Sequence, residues 1–296
     1  MSLIEKALEL EKQQRRAAAD ARDARDVRSG DAQMPGGSPA EATAADATPA
    51  TQPGIPPRID LTSVRTVSTD SRLLDVNRVL SETNTRQPAE NAYRMLRTRV
   101  MRQMRSNGWL SLGITAAGVN EGKTLTAINL AVSVAAERIQ PVVLVDLDLR
   151  RPRIHTYLGI GENQFPDVAD YLEGRVPALE DLLISPGIQG LSCMLNSRVI
   201  DRSSDLLASP RGQAFLTELR QRLPGVLVII DLPPLLATDD PLVVAPMIDG
   251  LLLVVAEGGS TRSDVASAAK LLAEFNLVGS VLNKSVERSG QDYYTY

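Results

Sequence analysis

Residues 117–124 read AGVNEGKT, between the β-rich run SLGITAA (111–117) and the helical stretch LTAINLAVSVAAE. A strand that turns through glycine into a helix is the setting in which backbone N–H groups wrap phosphate oxygens, with the helix dipole adding to the attraction. Gly122 lets the backbone approach the ligand, Lys123 neutralises the outer phosphates, and Thr124 can offer its hydroxyl to Mg²⁺. The run follows the Walker A pattern, G-x-x-x-x-G-K-[ST], except that Ala117 stands where the first glycine should be; neighbouring Gly118 is expected to supply the backbone freedom. Lys123 is one of only five lysines among 296 residues, which sets it apart from compositional background. Gly118, Val119, Asn120, Glu121, Gly122, Lys123, Thr124 and Leu125 are the candidate phosphate-binding residues, and the expected ligand is a nucleoside triphosphate.

Two carboxylate stations follow. VVLVDLDLRRPRIH places Asp146 and Asp148 at the C-terminal end of an apolar strand, the edge where ligands collect in open α/β sheets. Two residues apart, they are expected to share one strand face. VLVIIDLPPLLATDD delivers Asp231 in the same way, before a rigid Pro233–Pro234 turn. One aspartate after a strand is often a helix cap. Three on two strands of a phosphate-loop domain point to Mg²⁺ binding and activation of a nucleophile.

The elements that must position these groups are legible in the hydrophobic pattern. Apolar runs at 111–117, 141–149, 226–232, 250–258 and 278–284 alternate with helical stretches near 123–137, 204–223 and 262–275. Such alternation predicts an α/β domain with a parallel sheet covered on both faces. In 262–275 the spacing of Val265, Ala269, Leu272 and Phe275 predicts ordinary core packing. Ahead of the first run, 89–104 reads as an amphipathic helix with Tyr93, Leu96, Val100 and Met104 inward. Its other side carries Arg94, Arg97, Arg102 and Arg105: a solvated face, a subunit interface or an anionic-membrane surface. Residues 1–28 read as a charged helix, and 29–57, rich in Gly, Pro, Ala and Thr, as a disordered linker. The folded domain is expected over 58–290 and a tyrosine-cluster tail over 291–296.

Composition narrows the function. Net charge is −4, so the chain as a whole does not resemble a nucleic-acid binder. The opening MSLIEKALELEKQQRR is too charged for a secretory signal, and no run of 18 apolar residues spans a bilayer. A cytoplasmic protein is expected, with any membrane association through a partner. The single cysteine, Cys193 in LSCML, is expected to be buried filler, and the single histidine, His155, a structural residue. Aromatics are only 3% of the chain, yet three of the six tyrosines, Tyr293, Tyr294 and Tyr296, fall in QDYYTY.

Taken together, LVDLDLRRP resembles the A′ motif and VIIDLPP the Walker B motif of the bacterial tyrosine kinases, phosphate-loop proteins that phosphorylate a C-terminal tyrosine cluster on one another. The resemblance covers roughly 60–296. MSLIEKAL, LLATDDPL and VLNKS look most similar to the exosortase-associated tyrosine autokinases of exopolysaccharide loci. It implies that Lys123 and the 118–124 backbone bind ATP phosphates, and that Thr124, Asp146 and Asp231 serve Mg²⁺. Asp146 would accept or orient the tyrosine proton, Asp148 support the metal or the acceptor, Arg150 serve the site or an adjacent subunit, and Asn283 contact the base. Tyr293, Tyr294 and Tyr296 become phosphoacceptors. A homo-oligomer is implied, as is an activating partner, a membrane polysaccharide chain-length or co-polymerase protein; this chain would be the separate, soluble type.

The chain departs from the family pattern in two places. The family's oligomerising helix carries E-x-x-R-x-x-R, but NAYRMLR has Asn91 at the glutamate position, Glu90 one place early, and Arg94 and Arg97 in register. The tail also holds fewer tyrosines than is common. Two alternatives share the fold. A ParA/MinD-like ATPase would carry a lysine where Gly118 stands, and a non-catalytic nucleotide-binding scaffold would bind ATP without modifying tyrosine.

Overall fold

The computed structural model describes residues 57–81 and 87–285; the expected N-terminal helix, the linker and the tyrosine cluster lie outside them. The strands are β1 (Arg65–Thr66), β2 (Ser111–Ala116), β3 (Val142–Asp146), β4 (Ile184–Ser185), β5 (Leu191–Met194), β6 (Leu227–Asp231), β7 (Gly250–Ala256) and β8 (Leu277–Asn283). The α-helices are α1 (Ser71–Val76), α2 (Gln87–Asn107), α3 (Lys123–Ala135), α4 (Ile154–Leu158), α5 (Val168–Leu172), α6 (Ser203–Ala208), α7 (Pro210–Arg222), α8 (Asp240–Val244) and α9 (Arg262–Leu271). The strands form one eight-stranded sheet in the order β1-β4-β5-β3-β6-β2-β7-β8, parallel except where β4 meets β5.

Both faces of the sheet are covered, and alternation along the central strands divides their side chains between two cores. Val142, Leu144 and Ile229 join the core formed with α2 and α3. Val143, Val145, Val228 and Ile230 join the core containing Phe215, Leu216 and Leu219 of α7. Strands buried on both faces read as continuous apolar runs, which is why β2, β3, β6 and β7 were legible; β8, at the sheet edge, is only partly buried, with Leu282 exposed. The short β1, β4 and β5 lack that signature; β5 includes Cys193, fully buried as expected, with its thiol pKa raised by burial.

Three expectations are corrected. The helix expected over 204–223 is two helices, because Ser209 leaves helical geometry, caps the amide of Gly212, and is followed by Pro210 at the first position of α7. In α9 the inward alanine is Ala268, while Ala269 is exposed. The strand expected over 141–149 ends at Asp146, since the next residues turn out of the sheet to meet the start of α4.

Helix α2 follows its predicted stripe: Val100 and Met104 are buried, and Leu96 packs partly buried against the same core. Its arginines are not one uniform face. Arg97 reaches α3, donating through Nη1 to the Ser133 carbonyl at 2.7 Å and placing Nε 3.0 Å from Glu137. Arg94 pairs with Glu90 at 2.7 Å across one helical turn.

Candidate functional site: a buried cation among three carboxylates

The candidate residues converge at the C-terminal edge of the sheet because β2, β3 and β6 are neighbours that end there in register. Asp146 and Asp231 are direct Cα partners in the β3–β6 ladder, and Ile114 of β2 pairs with Asp231 from the other side. The loop after β2 therefore lies beside both carboxylates.

That loop enters α3 at Gly122, which adopts a left-handed conformation (φ 91°). The dihedral requires glycine, and a Cβ there would sit 2.1 Å from Asn283 Nδ2 and push that side-chain amide aside. Asn120 is also left-handed (φ 60°). The missing first glycine costs nothing visible: Ala117 is fully buried, and its carbonyl accepts from Leu236 N–H at 3.2 Å. Gly118 has no left-handed φ, so it does not provide the compensating freedom expected of it.

Lys123 lies buried with Nζ 2.7 Å from Asp148 Oδ2 and 3.2 Å from Asp231 Oδ1. Thr124 Oγ1 donates to Asp231 Oδ2 at 2.6 Å. Asp146 accepts the backbone N–H groups of Arg153 and Ile154 through Oδ2, at 3.2 and 3.1 Å. Asp148 lies beyond the strand rather than on a shared strand face. Its Oδ1 accepts from Arg151 N–H at 3.0 Å, and the turn this closes brings its other oxygen to Lys123.

Three buried carboxylates thus face one ammonium, and the electrostatics follow. Asp146 has its pKa raised well above the usual carboxylate range, first by burial and then by Asp231. Burial likewise pushes Asp231 up to about 6, with Lys123 opposing and Asp148 adding. For Lys123 burial works to lower the pKa, but attraction to Asp231 and Asp148 outweighs it and the net shift is upward. The surplus of negative charge and the hard oxygen donors suit a hydrated divalent cation such as Mg²⁺, which binds through one or two carboxylates and ligand phosphates rather than in a protein cage. Among the described residues no cluster of three or more carboxylate, His or Cys groups could hold a metal ion by itself.

The outlying candidates are placed as follows. Arg150 donates from Nε to Ser203 Oγ at 3.1 Å, tying the loop after β3 to α6. Asn283 donates from its side-chain amide to the Glu121 carbonyl at 2.9 Å, so it touches the phosphate loop directly. Val119 is exposed and Leu125 half-buried. His155 is structural: Nδ1 lies 3.0 Å from the Asn196 carbonyl and Nε2 3.1 Å from Thr156 Oγ1. Sequence reasoning missed Lys284, which donates to the Asn120 carbonyl at 2.6 Å, and Ser260, which donates to the buried Glu121 carboxylate at 2.5 Å. Only contacts across the fold make these two residues part of the site.

Fold and site together define a phosphate-loop α/β domain of the nucleotide-binding class. No family model matches the chain. It is similar to tyrosine-protein kinase YwqD of Bacillus subtilis, 29% identical over 222 residues, 73% of this chain and 90% of that protein. It is 30% identical over 216 residues to tyrosine-protein kinase etk of Escherichia coli K12, covering 72% of this chain and 29% of that much longer one. Its backbone superposes on the kinase domain of Escherichia coli tyrosine kinase ETK with a TM-score of 0.64 at 29% identity, over 81% of this chain and 89% of that structure. The chain belongs to the bacterial tyrosine kinase family.

Proposed function

We propose that the protein is an ATP-dependent protein-tyrosine kinase that phosphorylates Tyr293, Tyr294 and Tyr296 of another copy of itself, in the service of exopolysaccharide synthesis and export. The carrying observation is the convergence of Lys123, Thr124, Asp146, Asp148 and Asp231 at one sheet edge, in a tyrosine-kinase relative that itself bears a tyrosine cluster.

The 118–124 backbone and Lys123 hold the nucleotide's phosphates. When bound, Mg²⁺ supplies charge neutralisation, and Thr124, Asp231 and Asp146 offer it oxygen donors. A tyrosine hydroxyl has a pKa near 10 and is a poor nucleophile at neutral pH. A carboxylate whose proton affinity is raised by burial is a better-matched acceptor than an exposed one, and Asp146 is such a group. Asp148 fixes the ammonium of Lys123 at the phosphate end. Arg150, anchored on Ser203, serves the acceptor side, and Asn283 offers its remaining amide oxygen to the nucleotide base. The transfer itself depends mainly on this positioning and charge neutralisation.

No helix among the described residues is long and apolar enough to cross a membrane. The proposed activator is a membrane polysaccharide chain-length or co-polymerase protein, which would hold the kinase at the cytoplasmic face of the inner membrane. The exosortase-associated branch of the family is the closer placement proposed, on MSLIEKAL, LLATDDPL and VLNKS.

The test is mass spectrometry of tail peptides after incubation with Mg-ATP and the activator's cytoplasmic segment, wild type beside Lys123→Ala. Phosphate on the tail tyrosines of the wild type alone is the expected result. An unmodified wild-type tail, with nucleotide binding verified, would overturn the kinase reading in favour of a nucleotide-binding scaffold.

A further inference from the structure

The outer side of the phosphate loop is held by the end of β8. A loop that aims its N–H groups at an anion must turn its carbonyls the other way, and those carbonyls need partners. Here the partners are adjacent residues. Lys284 Nζ donates to the Asn120 carbonyl at 2.6 Å, and Asn283 Nδ2 donates to the Glu121 carbonyl at 2.9 Å. Both grips fall where the loop is most constrained, on left-handed Asn120 and on the peptide leading into left-handed Gly122.

A second strut backs the first. Glu121 Oε1 accepts from Ser260 Oγ at 2.5 Å, and Ser260 Oγ accepts from Ala256 N–H at 2.9 Å, which ties the same loop to the end of β7. Glu257 N–H donates to the Asn283 carbonyl at 2.9 Å, joining the two struts. Lys284 itself is left-handed (φ 58°), a conformation that non-glycine residues adopt only when their surroundings impose it.

We propose that Lys284, with Asn283, is a positioning residue for the nucleotide: it holds the phosphate loop in its anion-binding shape from the chain segment that leads toward the tyrosine cluster. Two effects follow from the geometry. The ammonium fixes the Asn120–Glu121 peptide plane, and by polarising its carbonyl it makes the Glu121 N–H a stronger donor to a phosphate. The binding loop and the segment before the acceptor tyrosines also become one mechanical unit, so nucleotide binding and order at the end of β8 are linked, and linkage is reciprocal. The inference rests on the phosphate-binding reading of the loop and not on the kinase reading.

The experiment measures Mg-ADP affinity by calorimetry on the full chain for wild type, Lys284→Met, Lys284→Arg and the exposed control Lys270→Met, at about 0.1 M and about 0.5 M salt. Unfolding temperature is measured without nucleotide, and hydrogen exchange over 277–285 with and without it. Lys284→Met is expected to bind roughly tenfold more weakly at both salt concentrations, since a contact effect survives screening that removes long-range attraction. Lys284→Arg should recover most of the affinity, Lys270→Met should match wild type, and nucleotide-free unfolding temperatures should agree. Nucleotide should slow exchange over 277–285 in wild type and not in Lys284→Met. Wild-type affinity in Lys284→Met, a defect that vanishes at high salt, or a matching loss of unfolding temperature would each overturn the proposal. Wild type that binds no Mg-ADP would overturn the phosphate-site reading with it, whereas binding without tail phosphorylation would count against the kinase reading alone.

Discussion

Lys123 and Asp148 form the closest ion pair of the site, 2.7 Å between Nζ and Oδ2, although Asp148 lies two residues past the end of its strand. Asp231 holds the same ammonium at 3.2 Å, and buried Asp146 stands beside Asp231 in the sheet ladder. One cation among three buried acids leaves excess negative charge in a low-dielectric setting, which opposes folding and favours ligands that bring positive charge.

Asp231→Asn is therefore expected to stabilise the nucleotide-free protein while abolishing tail phosphorylation. Asp231 is raised from 3.8 to about 6 in the fold, so the native state holds its proton more tightly than the unfolded chain. The stability this contributes is fully present below pH 3.8 and is lost as pH rises through about 6. At pH 7.5 the asparagine variant should gain roughly 1–3 kcal/mol, shrinking toward pH 4, as read by urea denaturation at several pH values. An equal difference at all pH values would contradict the assignment.

The two family-register arginines of α2 should separate cleanly. Arg97 joins α2 to α3 through Ser133 and Glu137 with its side chain only 15% exposed, whereas Arg94 is 56% exposed and pairs within its own turn. Arg97→Ala should cost about 2–3 kcal/mol, in the range for hydrogen bonds to a charged group, and Arg94→Ala about 0.5 kcal/mol or less. Chemical denaturation measures both. Arg97 being engaged within the protomer, any effect of Arg94→Ala on oligomer mass in sedimentation would come without a stability change.

Gly122→Ala should fail as a binder before it fails as a fold. Its Cβ would meet Asn283 Nδ2 at 2.1 Å in a left-handed backbone, displacing the amide that holds the Glu121 carbonyl. A loss of at least tenfold in Mg-ADP affinity is expected, with roughly 1–3 kcal/mol of destabilisation. Fluorescent-nucleotide titration and thermal unfolding together read both effects.

Asp249 provides the opposite case, a stability residue at the other end of the strands. Its Oδ2 accepts from the N–H groups of Leu110 and Ser111 at 2.9 Å each, and its Oδ1 from Arg220 at 2.6 Å. Asp249→Ala leaves the two backbone donors unmet, while the Arg220 side chain, 65% exposed, returns to water; the substitution should cost about 2–4 kcal/mol. KM for ATP, measured well below the new unfolding temperature, should stay within about twofold of wild type, since uniform loss of stability does not alter ground-state binding.

By itself the sequence determined the class of the domain and the principal chemical groups. Strands buried on both faces must be apolar along their length, and a phosphate loop needs glycine and lysine at a set spacing, so β2, β3, β6, β7 and Lys123 declare themselves in one dimension. The order of the strands, and with it the meeting of residues distant in the chain, was decided only by tertiary structure. Asp146 pairs with Asp231 because β3 and β6 are neighbours. Asp148 reaches Lys123 because a turn, not a strand, carries it there. Lys284 and Ser260 belong to the phosphate loop because β7 and β8 end beside it. Ala117 is tolerated because the required left-handed turns fall at Asn120 and Gly122, a division of backbone conformation that no residue type announces. Local pattern encodes which faces must leave water; which side chains then share a charge depends on how the sheet closes around them.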